Sequence, residues 1–421
     1  MYRGAACVLL VAAELAAQPR VVSPVGDGAQ VEPFIVGNPR NPNELVVANM
    51  LVQAIDPTNW RVQVFWTDDA GAGWREAQLP ARDGAACSGD VWLAWGRERN
   101  VYLTCLATVT TSDGRDFNFK LWLHASRDAG RTWSAPIEVA TQPVGEWDHP
   151  VLSLVPASAG STRDTLFVTG TRPRRVGNGF GVARYAEGMP RFDAMRLYEP
   201  PERRNDSFGS AVALSSDRLL FTYFAMGDQP PRPLYSVLVT DTAMQRSSAS
   251  PNVMPWGFPM LAQQGNHRDG SITAVWLEGA DVEGLDVILG TSTDSGRTWV
   301  TSPVTSGLPR RVRARPNVVF DAVGNVAVTW FEAESFSPCG EVVLAVRNVG
   351  RSQFTERARV PTTDAACKLP GDSTLVAIVN RWRAGGDYSG IHSPAAGVFD
   401  IVWSDVRQDG FRVRYLRVRS P

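Results

Sequence analysis

Eight residues recur along this chain. SRDAGRTW runs from Ser126 to Trp133, and STDSGRTW runs from Ser292 to Trp299, 166 positions later. A degraded copy, TDDAGAGW from Thr67 to Trp74, keeps the hydroxyl, Asp, Gly and Trp at the same offsets. The first two copies lie 59 residues apart, and the gap to the third is close to three such periods. A chain that repeats a polar turn ending in tryptophan is built from copies of one small unit. Such a unit cannot bury its apolar face alone, so neighbouring copies must stack.

A second marker keeps time with the first. Glu32 in VEPFIV, Asp90 in SGDVWLAW, Asp148 in EWDHPVLSL and Asp206 in NDSFGSAVAL are each 58 residues apart. Related strand starts follow near Phe258, Arg315 and Asp387, which makes seven units. In the second unit VWLAW, VYLTCLATV, FKLWLHAS and APIEVA read as four short strands, with the octet between the third and fourth. The fold expected is all-β, a β-propeller of seven four-stranded blades, with six blades as the alternative. The seventh unit supplies only SGIHS, FDIVWSDV and FRVRYLRV before Pro421. An open edge there is closed if RVVSPV, Arg20 to Val25, becomes its outer strand.

The chemistry of the octet explains why it recurs. Its glycine takes positive φ at low cost. Its Asp and Ser or Thr hydrogen-bond backbone N–H groups of the turn. Its Trp fills the gap between blades. The octets resemble the Asp-box, or BNR, repeat S/T-x-D-x-G-x-x-W, and from about residue 30 to the end the chain resembles sialidase-like Asp-box propellers of the exported bacterial type. That resemblance implies a box on the face opposite the ligand site. Units three, four, six and seven lack a clean copy; YAEGMPRF and VTDTAMQRS stand at the corresponding turns of units three and four.

Composition bounds the function class. A net charge of −1 over 421 residues excludes a global field drawing nucleic acid. The start, MYRGAACVLLVAAELAAQ, reads as a signal peptide over residues 1–18, leaving 19–421 as one propeller domain and implying a secreted or cell-envelope location. No other stretch is long and apolar enough to span a membrane. Beyond Cys7, four cysteines allow two disulfides, Cys87–Cys105 and Cys339–Cys367. Without C-x-x-C spacing, and with four scattered histidines, no metal site or cofactor is expected. A monomer is expected.

Blade topology then assigns faces. Loops entering strand one and joining strands two and three open on the top; the octets lie on the bottom. The top gathers Glu32, Asp90, Asp148, Asp206, Arg315, Asp387 and Tyr388 from strand-one starts. Strand-two ends add Glu278, Glu332, Asp405 and Arg407, preceded by Trp276, Trp330 and Trp403, and the loop of unit three adds Arg172, Arg174 and Arg175. Period-related acids also cap backbone or pair with an arginine of the next blade, and the tryptophans also read as core. The ligand-binding candidates are Glu32, Asp90, Asp148, Glu278, Arg315, Asp405 and Arg407; the catalytic candidates are Asp387, Tyr388 and Glu332.

The sialidase resemblance implies an arginine triad for a carboxylate, a Tyr nucleophile paired with a Glu, and an acid/base Asp. It also implies an F/Y-R-I-P motif in the first blade. Here VEPFIV puts Glu32 where that arginine belongs, and like charge repels a carboxylated sugar. The function expected is therefore binding of a glycan or protein ligand on the channel-mouth face. The alternative is an exo-α-sialidase-like glycoside hydrolase.

Overall fold

The computed structural model describes residues 18–420 except 24–27, 111–116, 141–146, 158–161, 172–178, 202–205, 226–231, 251–252, 254–257, 264–270, 280–283, 336, 338, 363–369 and 408–409. Seven four-stranded antiparallel sheets form a seven-bladed propeller, which removes the six-blade alternative. Strand one of the successive blades is Ala29–Asn38, Cys87–Trp95, Asp148–Val155, Asp206–Ser215, Met260–Gln263, Val312–Phe320 and Gly390–Ala395. Within each of blades one to six the strands follow in chain order from the axis outward. Blade seven is composite. Its outer strand is Arg20–Val21, paired antiparallel with Gly410–Arg419 through Arg20 opposite Tyr415 and Val21 opposite Arg414.

Alternation along the strands leaves apolar side chains on both faces of each blade, so the core lies between blades. Val46, Val64, Val91, Leu103 and Trp133 form one such cluster between blades one and two. Leu344, Val346, Phe399, Ile401 and Trp403 form another between blades six and seven. Trp276, Trp330 and Trp403 are all almost fully buried.

The octets hold these seams on the bottom face. In the second copy Ser126 Oγ donates to Asp128 Oδ1 at 2.8 Å and accepts from the Gly130 N–H at 2.9 Å. Asp128 accepts from the Thr132 N–H at 2.9 Å and hydroxyl at 2.6 Å. The third copy repeats this set through Ser292, Asp294, Gly296 and Thr298. Each turn has two consecutive residues at positive φ, with Ala70, Ala129 and Ser295 at 60–62° before the glycine. The glycine is required because a Cβ on Gly71, Gly130 or Gly296 would strike Tyr415, Val46 or Leu220 of the preceding blade. Trp133 and Trp299 donate to the carbonyls of Gly130 and Gly296 and pack across the seam.

Cys87 and Cys105 form a disulfide with Cα atoms 5.7 Å apart. Simple hairpin register would set Cys105 opposite a residue near Val91. Two irregularities in strand one, between Cys87 and Trp92, pull Cys87 back to Ala107 and so beside Cys105. Cys339 is disulfide-bonded, and its expected partner Cys367 lies outside the described residues, as does Cys7. A helix unforeseen in the sequence, Ser373–Arg381, precedes blade seven. Asp372 caps it, accepting from the N–H groups of Thr374 and Leu375. Ile378, Val379 and Trp382 pack with Val31, Met50 and Phe411, which seats the helix over blades one and seven.

Trp133→Ala removes a buried indole and its seam hydrogen bond. It is expected to lower unfolding free energy by about 3–5 kcal/mol, against about 0.5–2 for Asp128→Ala, measured by urea denaturation.

Candidate functional site

Near its start, strand one breaks register with strand two in most blades. The bulged residues are Glu32–Pro33, Asp90–Val91, His149–Pro150, Gly209–Ser210 and Arg315–Pro316. Bulges re-aim side chains. Here Glu32, Asp90, His149 and Arg315 take φ of 45–56°, a region that non-glycine residues seldom occupy. Such strain gathers at functional positions. These four residues come from blades one, two, three and six yet interact with one another or with Asp387 and Tyr388 of blade seven, which is met only around the central axis.

Aromatic rings fill the axis below them. Phe34 and Trp92 lie 4.3 Å apart between ring centroids, His149 and Phe258 lie 3.8 Å apart, and Tyr388 lies 5.6–6.5 Å from Trp92, His149 and Phe34. The Tyr388 hydroxyl donates to the Val91 carbonyl at 3.3 Å. His149 donates from Nε2 to the Gly209 carbonyl at 2.9 Å, and burial pushes its pKa down to about 4, so the ring is neutral at pH 7.

Carboxylates crowd this plug. Glu32 is 3 % exposed and accepts from the Asp387 N–H at 3.1 Å, while its Oε2 has no hydrogen-bond partner among the described residues. Burial first, then Asp387 and Asp90, hold its carboxyl well above the usual range. Asp90 is raised by burial and then by Asp148, with which it shares a hydrogen bond; its carboxylate also accepts from the His149 N–H at 3.0 Å. Asp148 and Asp387 meet solvent, although protein surrounds Asp387 closely enough for desolvation to raise its pKa. Two solvent-exposed carboxylates thus lie beside the buried Glu32 and the half-buried Asp90. Two cations oppose them. Arg315 is 2 % exposed, is brought down to about 10 by burial, and feels Asp387 and Glu32. Arg381, from the last turn of the helix, acts on Glu32 and Asp387. Gly385 and Gly386, at φ 91° and 114°, thread between Ser404, Arg315 and Glu32 where a Cβ would collide.

The structure thus gathers Glu32, Asp90, Asp148, Arg315, Asp387 and Tyr388. The strand-two acids are elsewhere: Glu332 and Asp405 are held by their own blades, and Glu278 by its own blade and Ser250 of the preceding one. Glu332 accepts from Arg313 Nε at 2.9 Å, Trp330 Nε1 at 3.2 Å and Arg359 at 2.9 Å, which hold its pKa down despite burial. It is not among the carboxylates acting on Tyr388, so it is not brought to that phenol as a partner. Glu278 accepts from Trp276 Nε1 at 2.7 Å and Ser250 Oγ at 2.6 Å, and Asp405 from Arg414 Nε at 2.7 Å. The Arg407 side chain and Arg172, Arg174 and Arg175 lie outside the described residues. Asp206 opens its strand three residues before the bulge. Tyr388 is buried, and burial followed by the nearby carboxylates raises its pKa well above the ordinary value, opposite to what a phenolate nucleophile needs.

His149, Phe258 and Arg381 belong to the site and were not read from the sequence. The 58-residue acid spacing selects Asp148 and Asp206, whereas the bulge selects His149 and Gly209. A better signal was the X-Pro step in Glu32–Pro33, His149–Pro150, Phe258–Pro259 and Arg315–Pro316. Cys87, Cys105 and His124 lie together in blade two, but a disulfide leaves no thiolate for a metal.

No protein-family model matches the chain, and no curated protein matches it. Solved structures do. A protein of unknown function from Dyadobacter fermentans superposes with a TM-score of 0.53 at 11% identity, covering 96% of this chain and 98% of that one. A Penicillium chrysogenum α-L-arabinanase complexed with arabinobiose gives 0.52 at 14% identity, over 95% and 97%. The NanB sialidase from Streptococcus pneumoniae gives 0.48 at 13%, over 95% and 70%. The first two likenesses show a shared propeller fold.

Glu32 keeps its proton to higher pH when folded than when unfolded. Stability it confers is therefore complete below the ordinary carboxylate pKa and declines as pH rises from there toward the raised value. Glu32→Gln is expected to stabilise the fold at pH 7, with the difference vanishing near pH 4. Thermal unfolding across that window measures it.

Proposed function

We propose that this propeller is a glycan-binding protein whose acidic recess at the top of the channel receives an uncharged sugar. The observation that carries the reading is the cluster of Glu32, Asp90, Asp148 and Asp387 against only Arg315 and Arg381 among the described residues. Carboxylates and carboxyls exchange hydrogen bonds with sugar hydroxyls, and a cluster in which four acids face two cations offers a carboxylated sugar no net positive charge. The octets are read as Asp boxes, on the face opposite this recess. The shared fold with an arabinanase complexed with arabinobiose supports a neutral carbohydrate. The buried Cys87–Cys105 disulfide supports an extracytoplasmic location.

A second reading rests on the Asp90–Asp148 contact. A hydrogen bond between two carboxyls needs one proton, which the pair shares. A pair of carboxyl groups sharing a proton can supply an acid and a carboxylate, the pairing that glycoside hydrolysis uses.

Calorimetric titration with arabino-, xylo- and cello-oligosaccharides and with sialyllactose tests the first reading. A neutral oligosaccharide is expected to bind, sialyllactose to bind at least tenfold more weakly, and Asp387→Asn to weaken the neutral ligand at least tenfold. Binding unaffected by Asp387→Asn and Asp90→Asn, or a preference for sialyllactose, refutes it. Release of nitrophenol from neutral aryl glycosides, lost in Asp90→Asn, establishes the hydrolytic reading.

A further inference from the structure

The bottom face carries a second recess, where an octet has decayed. In blade six the turn between strands three and four reads VRNVGRSQ, Val346 to Gln353. Gly350 takes the octet glycine's place at φ 76°, but Asn348 replaces the Asp and Gln353 replaces the Trp. The turn keeps the backbone closure, from the Arg351 N–H to the Asn348 carbonyl at 3.0 Å as from the Ala72 N–H to the Asp69 carbonyl at 3.4 Å in the first octet, while the Asn348 Oδ1 has no hydrogen-bond partner among the described residues where the octet Asp caps the turn. At Gly71, Gly130 and Gly296 an added Cβ would strike the preceding blade, whereas at Gly350 it would meet nothing within 4 Å. The seam between blades five and six is therefore unsealed at this end.

What remains there is a cavity of about 310 Å³, bounded by Ser271, Thr273 and Thr291 of blade five and by Arg347, Asn348 and Arg351 of blade six. Its size is at the lower end of small-molecule pockets, about 300–1,000 Å³. Among the described residues its lining includes no acidic one. Arg347 stacks on the Phe354 ring at 5.2 Å, and burial alone pulls its pKa down, with no carboxylate opposing. A partly desolvated cation seeks an anion.

We infer that this inter-blade cavity is a second binding site, taking a single hydroxylated ring that carries one anionic group. Arg347 and Arg351 bind the anion, while Thr291, partly exposed on the blade-five wall, offers its hydroxyl to the ring. The site is independent of the channel recess, whose four acids offer an anionic ligand no net positive charge.

The probe is glucuronate, titrated calorimetrically into the full chain at fixed ionic strength, with glucose and sulfate as comparators. Glucuronate is expected to bind saturably and at least tenfold more tightly than either. Arg347→Gln/Arg351→Gln should weaken it at least tenfold. Arg351→Gln alone, at an exposed position that folding does not depend on, should weaken it at least threefold. Glu32→Gln should leave it within twofold of wild type, which separates this site from the channel. Absence of glucuronate binding, equal affinity for sulfate or glucose, no loss in Arg351→Gln, or loss in Glu32→Gln overturns the inference.

Discussion

Seven inner strands converge on one axis, and that axis must be filled. Water there would leave backbone and apolar side chains poorly matched, so the chain inserts rings. Phe34, Trp92, His149, Phe258 and Tyr388 meet edge to face or tilted, each from a different blade. Phe34, Trp92 and His149 lie in strand one at or beside its bulges, and Phe258 and Tyr388 lie two residues before it in blades five and seven. The backbone strain at Glu32, Asp90, His149 and Arg315 therefore serves packing and chemistry together. It turns one side chain per blade toward the axis, and the carboxylates end up directly over apolar rings. Desolvation of those carboxylates follows from where the plug sits.

The octets act at the other end of the same blades. They fix the outer turns to the preceding blade by glycine contact and tryptophan insertion, so the blade angle is set from the bottom while the top is free to vary. Blades three, four and six lack the tryptophan. A recess of about 430 Å³ lies between blades two and three beside Trp133, Tyr185 and Gly188, and one of about 310 Å³ lies beside the turn of blade six.

Much of this was legible in the residues. The octets and the acid spacing specify the blade number, and the incomplete seventh unit points to the strand at Arg20. The wall of the recess was partly legible, because Glu32, Asp90 and Arg315 recur at one phase. The repeat count failed at Asp148 and Asp206, since loop lengths vary by a residue or more while the bulge is set by register. The strand-two acids looked equivalent to the strand-one acids in sequence. The structure separates them: Glu278 and Glu332 sit two residues after a buried indole whose N–H they accept, so a repeated W-x-E is a device for satisfying tryptophan. The helix Ser373–Arg381 was missed because a nine-residue segment in a strand-rich chain carries little periodicity, and it is the element that delivers Arg381.

The composite blade has a consequence for synthesis. The Arg20–Val21 strand cannot find its partner until Arg414 and Tyr415 have been made, so nearly the whole chain must wait for its own first strand to be paired. A ribosome releasing this protein emits six blades able to pack in turn, and a ring that stays open until the end. Contacts this distant in sequence slow folding and leave an edge exposed meanwhile. Once made, the closure is reinforced from both sides. Val22 donates to the Val413 carbonyl, Val413 donates to Gln30, and Arg412 reaches the Gly28 carbonyl. The last step of folding is then a latch: hard to reach, and afterwards the point through which any unfolding of the ring has to begin or be prevented.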